Sequence, residues 1–469
     1  MNKGIYRITL CISLALLWCG YIHATDICIA EISISGNKKT KDFIILRELP
    51  FQEGDIFPEE ELQKHLEVSI NHLNNTSLFN FVYIDYELDS VARADCKTCT
   101  VSIRVEERWY YWPEIRIKFE DRNLSSWLQE KDYKRITIGL GISVDNVFGL
   151  MHSLSANYYF GYKKGFRMSY SNIALNKKHT QMLGFSMVSL YNKTMNLFSE
   201  NDRVVYVKDP DHYLDKTFEG AINYTYRPDI RNSHTINVGF QQTKLLDTVL
   251  TINKHYWGSN KLVNSFYTIA YNYGHEHRNS VSYPTTGFYA GTEMKGVTAD
   301  NLNFFYGSLN LKLQYYYEFF HRWFWSSRLN ASATFKNKRA YIFDQNVGYE
   351  EKNITGFDYY VVDGQHFTIL SNDIRYCLLP TRTVYLSSSE KALKFMKIPF
   401  AIYAKLSFDG GYVYDKHHQA TNTLANTFLW GTGLGIDLAT YYDIVLNCNY
   451  SINKKGERAF FVGIKAPIF

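Results

Sequence analysis

From about Glu114 to Phe469 the chain repeats one local grammar: segments of roughly ten residues with an apolar side chain at every second position, broken by Asn, Asp, Gly and Lys clusters. Ile136, Ile138, Leu140, Ile142 and Val144 alternate with Thr137, Gly139, Gly141, Ser143 and Asp145. Leu309, Leu311, Leu313, Tyr315 and Tyr317 alternate in the same way with Asn310, Lys312, Gln314 and Tyr316, and Trp430, Thr432, Leu434, Ile436 and Leu438 with Gly431, Gly433, Gly435 and Asp437. A period of two gives each strand one face for lipid and one for water. No apolar stretch after the first residues approaches the roughly 18 that a membrane helix needs, yet 38 Tyr, 31 Phe and 8 Trp demand an apolar setting. Hydrocarbon offers backbone groups no water, so a spanning sheet must hydrogen-bond to itself around a ring. The 356 residues from 114 to 469 allow about 22 per strand and turn in a barrel of about 16 antiparallel strands.

The N-terminus fits export. Lys3 and Arg7 precede an apolar run from Thr9 to Gly20, and Ala24-Thr25 offers a cleavage point, so residues 1–24 read as a signal peptide. A net charge of +5, scattered along 469 residues, does not suit nucleic acid. Five cysteines follow the signal; Cys96-Lys-Thr-Cys99 lacks the helix start or second ligand pair of a redox or zinc site. The histidines at Gly274–His277 and Lys416–His418 sit in turn-like contexts without a completing ligand set, and Cys448 shares its parity with Ile444, Leu446 and Tyr450, as a lipid-facing residue would. No nucleophile elbow, phosphate loop or carboxylate pair is present; the expectation is no enzyme, no cofactor and no metal.

Residues 25–113 form a different unit. An alternating strand (Ala30, Ile32, Ile34) runs into Gly36-Asn37, after which Thr40 is placed to cap a short helix with Phe43, Ile44 and Ile45. A second helix begins at Pro58, with Glu59, Glu60 and Glu61 at its positive end and Leu62, Leu66, Ile70 and Leu73 on one stripe. Two alternating strands follow, Val82, Ile84, Tyr86 and Leu88, then Val101, Ile103 and Val105. This α+β order, βααββ, resembles a POTRA domain, the periplasmic module of the Omp85 family. The resemblance implies that the strands starting at Cys28 and Cys99 lie side by side, and so a Cys28–Cys99 disulfide, with Cys96–Cys99 as the alternative. It also implies that the strand carrying Val82, Ile84, Tyr86 and Leu88 is a free edge to which an extended client can add.

Three further patches carry the same resemblance into residues 114–469. Tyr283-Pro-Thr-Thr-Gly287 is similar to a short turn element of the family's barrels, and Gly356 to Gln365 to the long loop whose VRG(F/Y) tip folds into the lumen. Phe408-Asp409-Gly410-Gly411 is similar to the strand against which that tip docks. The tip here is Val362-Asp363-Gly364-Gln365, with Asp in place of the family's Arg, and Asp363 beside Asp409 would repel. An inward loop with Asp363 facing Arg375 is therefore expected. The family's lateral seam falls between the strand of Ile138 and Leu140 and the last strand, where Pro467 lacks an N–H and Phe469 ends the chain.

The resemblance places the barrel in a bacterial outer membrane with the POTRA domain in the periplasm. The implied function is to receive unfolded outer-membrane or secreted polypeptides and to insert or translocate them without a nucleotide, with the lipid bilayer and outer-membrane lipoprotein subunits as further partners. Two alternatives stand: a dedicated secretion pore for one partner protein, which would carry a plug helix and two POTRA domains, and a non-inserting structural barrel of a larger complex.

Overall fold

The computed structural model describes residues 26–89, 96–119, 136–300, 303–349, 352–385, 397–440 and 443–465. The signal segment, Pro467 and Phe469 lie outside them.

The first domain contains β1 (Ile27–Ser35), α1 (Asp42–Leu46), β2 (Ile56–Phe57), α2 (Glu59–Asn75), β3 (Phe79–Leu88) and β4 (Lys97–Glu107). Its sheet has the order β2-β1-β4-β3, with β1 parallel to β4 and β3 antiparallel to it. The stripe of α2 buries Leu62, Leu66 and Leu73 against Ile29, Phe79, Ile84, Val101 and Ile103, and about 25 cal/mol for each Å² of apolar surface so covered holds helix to sheet. β3 is an edge strand, paired to β4 alone within that sheet.

Two local expectations are corrected. A bulge between Ile29 and Glu31 reverses the parity of β1, so Ile27 and Ile29 face the core before it and Ile32 and Ile34 after it. Cys28 then stands in register with Thr98 while Cys99 pairs with Ile29, which puts the two sulfurs on opposite faces; both are free thiols. Burial pushes the Cys99 thiol up to about 11, so it is an inert SH group. Thr40 does not cap α1, whose N-cap is Lys41 without a side-chain bond. It is buried instead, its N–H and hydroxyl donating to Glu107 Oε1 at 2.7 and 2.8 Å.

The rest is one antiparallel sheet of sixteen strands. They are β5 (Tyr111–Phe119), β6 (Ile136–Val147), β7 (His152–Gly161), β8 (Lys163–Ala174), β9 (Gln181–Asn192), β12 (Asp215–Tyr226), β13 (Asn232–Leu245), β14 (Val263–Glu276), β15 (Gly287–Ala299), β16 (Phe305–Phe320), β17 (Trp323–Lys336), β20 (His366–Tyr385), β21 (Lys397–Tyr414), β22 (Phe428–Thr440), β23 (Val445–Asn453) and β24 (Arg458–Lys465). Outside it, β10 (Thr194–Glu200) and β11 (Arg203–Lys208) make a hairpin, α3 (Asp247–Ile252) follows β13, and β18 (Gln345–Val347) pairs with β19 (Val362–Asp363). The alternation holds in space. Leu309, Leu311, Leu313, Tyr315 and Tyr317 are exposed on β16, whereas Ser308 and Tyr316 are buried; Leu434 and Ile436 are exposed on β22, whereas Asp437 is buried. A belt of exposed apolar side chains around a polar interior is the surface that a bilayer covers. No helix among the described residues is long and apolar enough to cross a membrane.

Candidate functional site

Residues 337–349 and 352–365, between β17 and β20, return into the barrel. Ile354, Phe357 and Val362 are almost fully buried, packed with Ile369, Val413 and Leu429 of the wall, and Val361 is buried beside them in the chain. The contact with Asp409 is made by Thr355, whose N–H and hydroxyl both donate to Asp409 Oδ2, at 2.9 and 2.6 Å. The wall is shaped to receive it: a β-carbon at Gly431 would lie 1.8 Å from the Thr355 carbonyl oxygen, and one at Gly411 would lie 2.5 Å from Ile354 Cδ1. Gly356, at φ +81°, turns its carbonyl to Asn453 Nδ2 at 2.8 Å, and the Tyr360 hydroxyl donates to Glu457 Oε1 at 2.6 Å.

The tip lies elsewhere. Asp363 accepts hydrogen bonds from the hydroxyls of Ser199 on β10 (2.5 Å) and Tyr349 (2.8 Å). Burial, opposed by these two bonds and reinforced by Asp344 and Asp415, pushes its carboxyl up to about 7. Val362 is buried; Gly364 fits only without a side chain, since a β-carbon there would stand 2.5 Å from Val413 Cγ1. Gln365 donates to Asp415 Oδ1 at 2.9 Å and accepts from Lys416 N at 2.8 Å. Asp363 and Arg375 do not meet: the repulsion expected between Asp363 and Asp409 is avoided because Thr355 takes the place beside Asp409.

Arg375 serves another segment. Its Nη2 donates to Pro284 O at 2.8 Å and its guanidinium lies 4.9 Å from the centre of the Tyr283 ring. The Tyr283-Pro-Thr-Thr-Gly287 turn is real, with the amides of Thr285 and Thr286 on Asn279 Oδ1 and Gly287 at φ +96°. Tyr283 then crosses the lumen to donate to Asp437 Oδ2 at 2.9 Å, beside Lys405 Nζ, 2.9 Å from Asp437 Oδ1. The sequence offered no sign that this turn points inward.

The first domain seats on the turns at one end of the barrel. Arg227, after β12, makes a bidentate pair with Glu48 at 2.7 and 2.8 Å, and Arg47 adds a third contact at 3.0 Å. Burial pushes the Glu48 carboxyl up, but Arg227 and then Arg47 outweigh it and hold it below its usual range. Asn146 Nδ2 donates to Thr40 Oγ1 at 2.8 Å, Arg108 pairs with Asp443 at 2.9 Å, and Val281 N donates to Asn75 Oδ1 at 3.0 Å.

Residues 27–108 match the model of the POTRA family, described as surface antigen variable number repeat. The whole described architecture is similar to BamA from Haemophilus ducreyi lacking POTRA domains 1–3, at 14% identity and a TM-score of 0.51 over 94% of this chain and 85% of that one. Residues 27–108 are thus a POTRA domain, and the described residues as a whole share the fold of a BamA-type barrel. The chain is also similar to CdiB from Escherichia coli, at 12% identity and a TM-score of 0.52 over 93% of this chain and 75% of that one. A comparison with curated proteins found no match.

The edge strand of the POTRA domain is β3, as expected, with its side chains divided: Val82 and Ile84 are buried in the core, Tyr86 is half-buried and Leu88 exposed. What β3 presents sideways is backbone. The seam is displaced from its expected place. Ile138 and Leu140 stand on β6, paired in register with Ile117 and Ile115 on one side and with Phe160 and Tyr158 on the other. The strand at the end of the sheet is β5, which begins at Tyr111, ahead of the expected boundary at residue 114. It contains Pro113, a residue suited to an edge. Among the described residues no pairing joins β5 to β24 at the other end.

Proposed function

We propose that this protein is an outer-membrane assembly or translocation factor of the Omp85 type, its POTRA domain in the periplasm receiving an extended polypeptide and its barrel delivering it. One observation carries the reading: a single chain holds an open POTRA edge, β3, seated on a barrel whose terminal strands β5 and β24 are the two ends of the sheet. A client strand can add to β3 through main-chain hydrogen bonds and then meet a sheet end able to accept further strands. Insertion at the seam is favoured over passage along the lumen, because the loop at Thr355 and the turn at Tyr283 both occupy the interior. Folding of the client in the membrane supplies the driving force.

The test is reconstitution of the purified protein in liposomes with an unfolded outer-membrane barrel as client. Faster client folding than in protein-free liposomes is expected. Equal rates would favour a non-inserting structural role, and client recovered inside sealed vesicles, rather than in the bilayer, would favour secretion.

A further inference from the structure

Where the POTRA domain meets the barrel, the outer surface carries a feature that neither the loop nor the seam uses. Tyr226 of β12 stands in register with His234 of β13, and His234 with Tyr273 of β14. The His234 ring lies 6.1 Å from Tyr226 and 5.1 Å from Tyr273, with Nδ1 2.8 Å from the Tyr271 hydroxyl. Tyr271 and Tyr273 share the parity of Tyr267 and Ile269, which are exposed, so this aromatic band faces lipid. Such a band marks the level at which hydrocarbon gives way to headgroups.

Immediately beyond the band the chain is basic. A pocket of about 530 Å³ opens between the β8–β9 turn, the β12–β13 turn and the POTRA domain, lined by Arg47, His72, Lys178, Arg227, Arg231 and His275. Arg47 and Arg227 share one carboxylate, Glu48. Lys178 and Arg231 are exposed, and neither side chain makes a hydrogen bond or ion pair among the described residues. The one acid in the lining, Asp229, is engaged by the amides of Arg231 and Asn232. Four fixed cations thus face two carboxylates that already have partners. Phe43 and Leu46 on α1 and Leu175 beside Lys178 are exposed apolar neighbours, with the Phe43 ring 4.8 Å from His179. Apolar side chains beside uncompensated cations, at the level of an aromatic band, suit an anionic lipid surface.

We propose that this pocket binds the phosphate-bearing headgroup of an anionic phospholipid from the leaflet facing the POTRA domain, with Lys178 and Arg231 as first contacts and Arg47 and Arg227 behind them. The proposal rests on the reading of the barrel as membrane-spanning, and not on what the protein does to a client. Guanidinium forks match phosphate oxygens, and the aromatic band sets the depth. Because POTRA and barrel residues line the pocket together, the lipid bridges them.

The test is native mass spectrometry of the full-length protein released from vesicles of phosphatidylglycerol and phosphatidylethanolamine. Preferential retention of phosphatidylglycerol is expected, falling roughly tenfold or more in the double variant K178Q/R231Q. Removal of two charges at the opposite end of the barrel, K254Q/K261Q, leaves the preference in place, and the charge-conserving K178R/R231K retains it even if the neutral variant folds poorly. Equal retention of both lipids, a preference that survives K178Q/R231Q, or displacement of the lipid by an equal concentration of inorganic phosphate would each overturn the assignment.

Discussion

Thr355 gives both its N–H and its hydroxyl to one oxygen of Asp409, at 2.9 and 2.6 Å, while Asp409 Oδ1 has no hydrogen-bond partner among the described residues. The attachment of the inward loop to the wall at this point therefore depends on a neutral residue eight positions before Asp363. Thr355→Val keeps the shape and the N–H and removes the hydroxyl. It is expected to weaken loop docking by about 1.5–3 kcal/mol, the contribution of a buried hydrogen bond to a charged group. Hydrogen exchange of residues 354–362 should rise, with the barrel strands unchanged.

Gly431→Ala tests the same fit from the wall. Its β-carbon would meet the Thr355 carbonyl oxygen at 1.8 Å, and that oxygen belongs to the backbone. Overpacking of this kind costs about 1–3 kcal/mol. The variant should expose the loop to proteases while the heat-modifiable mobility of the barrel persists.

Asp363 makes docking of the loop tip pH-dependent. Its carboxyl sits at about 7 in the folded protein, against the usual 3.8. A carboxyl raised on folding binds its proton more tightly in the native state, so its contribution is full below the unfolded value and is lost as pH rises through about 7. Protection of residues 360–365 should fall across that window, and Asp363→Asn should flatten the dependence. A tip equally protected on both sides of neutrality would contradict the assignment.

How much of this was legible in the residues varies with the kind of interaction. The strands of β6, β16 and β22 announce themselves because a lipid-facing strand must alternate, and the stripe of α2 because a helix must cover its sheet. Cys28 was misplaced by one bulge at Ala30, a single extra residue that no local pattern marks. The terminal strand was placed at Ile136 instead of Tyr111 because Trp109 to Pro113 read as the close of the first domain and not as the start of the barrel. The contacts of Thr355 and Tyr283 have no sign in the sequence for another reason: a hydroxyl in a loop has no chemistry of its own until the path of the loop brings it to Asp409 or Asp437. Glu48 and Arg227 lie 179 residues apart, and only the seating of one domain on the other makes them partners.

Glu48→Gln leaves the half-buried Arg47 and Arg227 facing a neutral amide in place of their carboxylate. Because the two guanidiniums are partly solvated, losing these charged bonds costs about 1.5–3 kcal/mol, which loosens the seating of the POTRA domain on the barrel turns. Spin labels on α2 and on the barrel rim should report a broadened distance distribution. In the unaltered protein the Glu48 carboxyl is held low, so its contribution is present above the unfolded range and lost as pH falls through the folded value. Acid should therefore broaden the distribution as Glu48→Gln does.

The central claim is that clients enter the bilayer where β5 and β24 end the sheet. Cysteines placed along β5 and β24, with Cys448 replaced by Ser, allow a disulfide tether to be closed by oxidant and opened by reductant during the liposome folding assay. Loss of client folding on closure and its recovery on reduction are predicted; an unchanged rate with the tether fully formed would contradict the account.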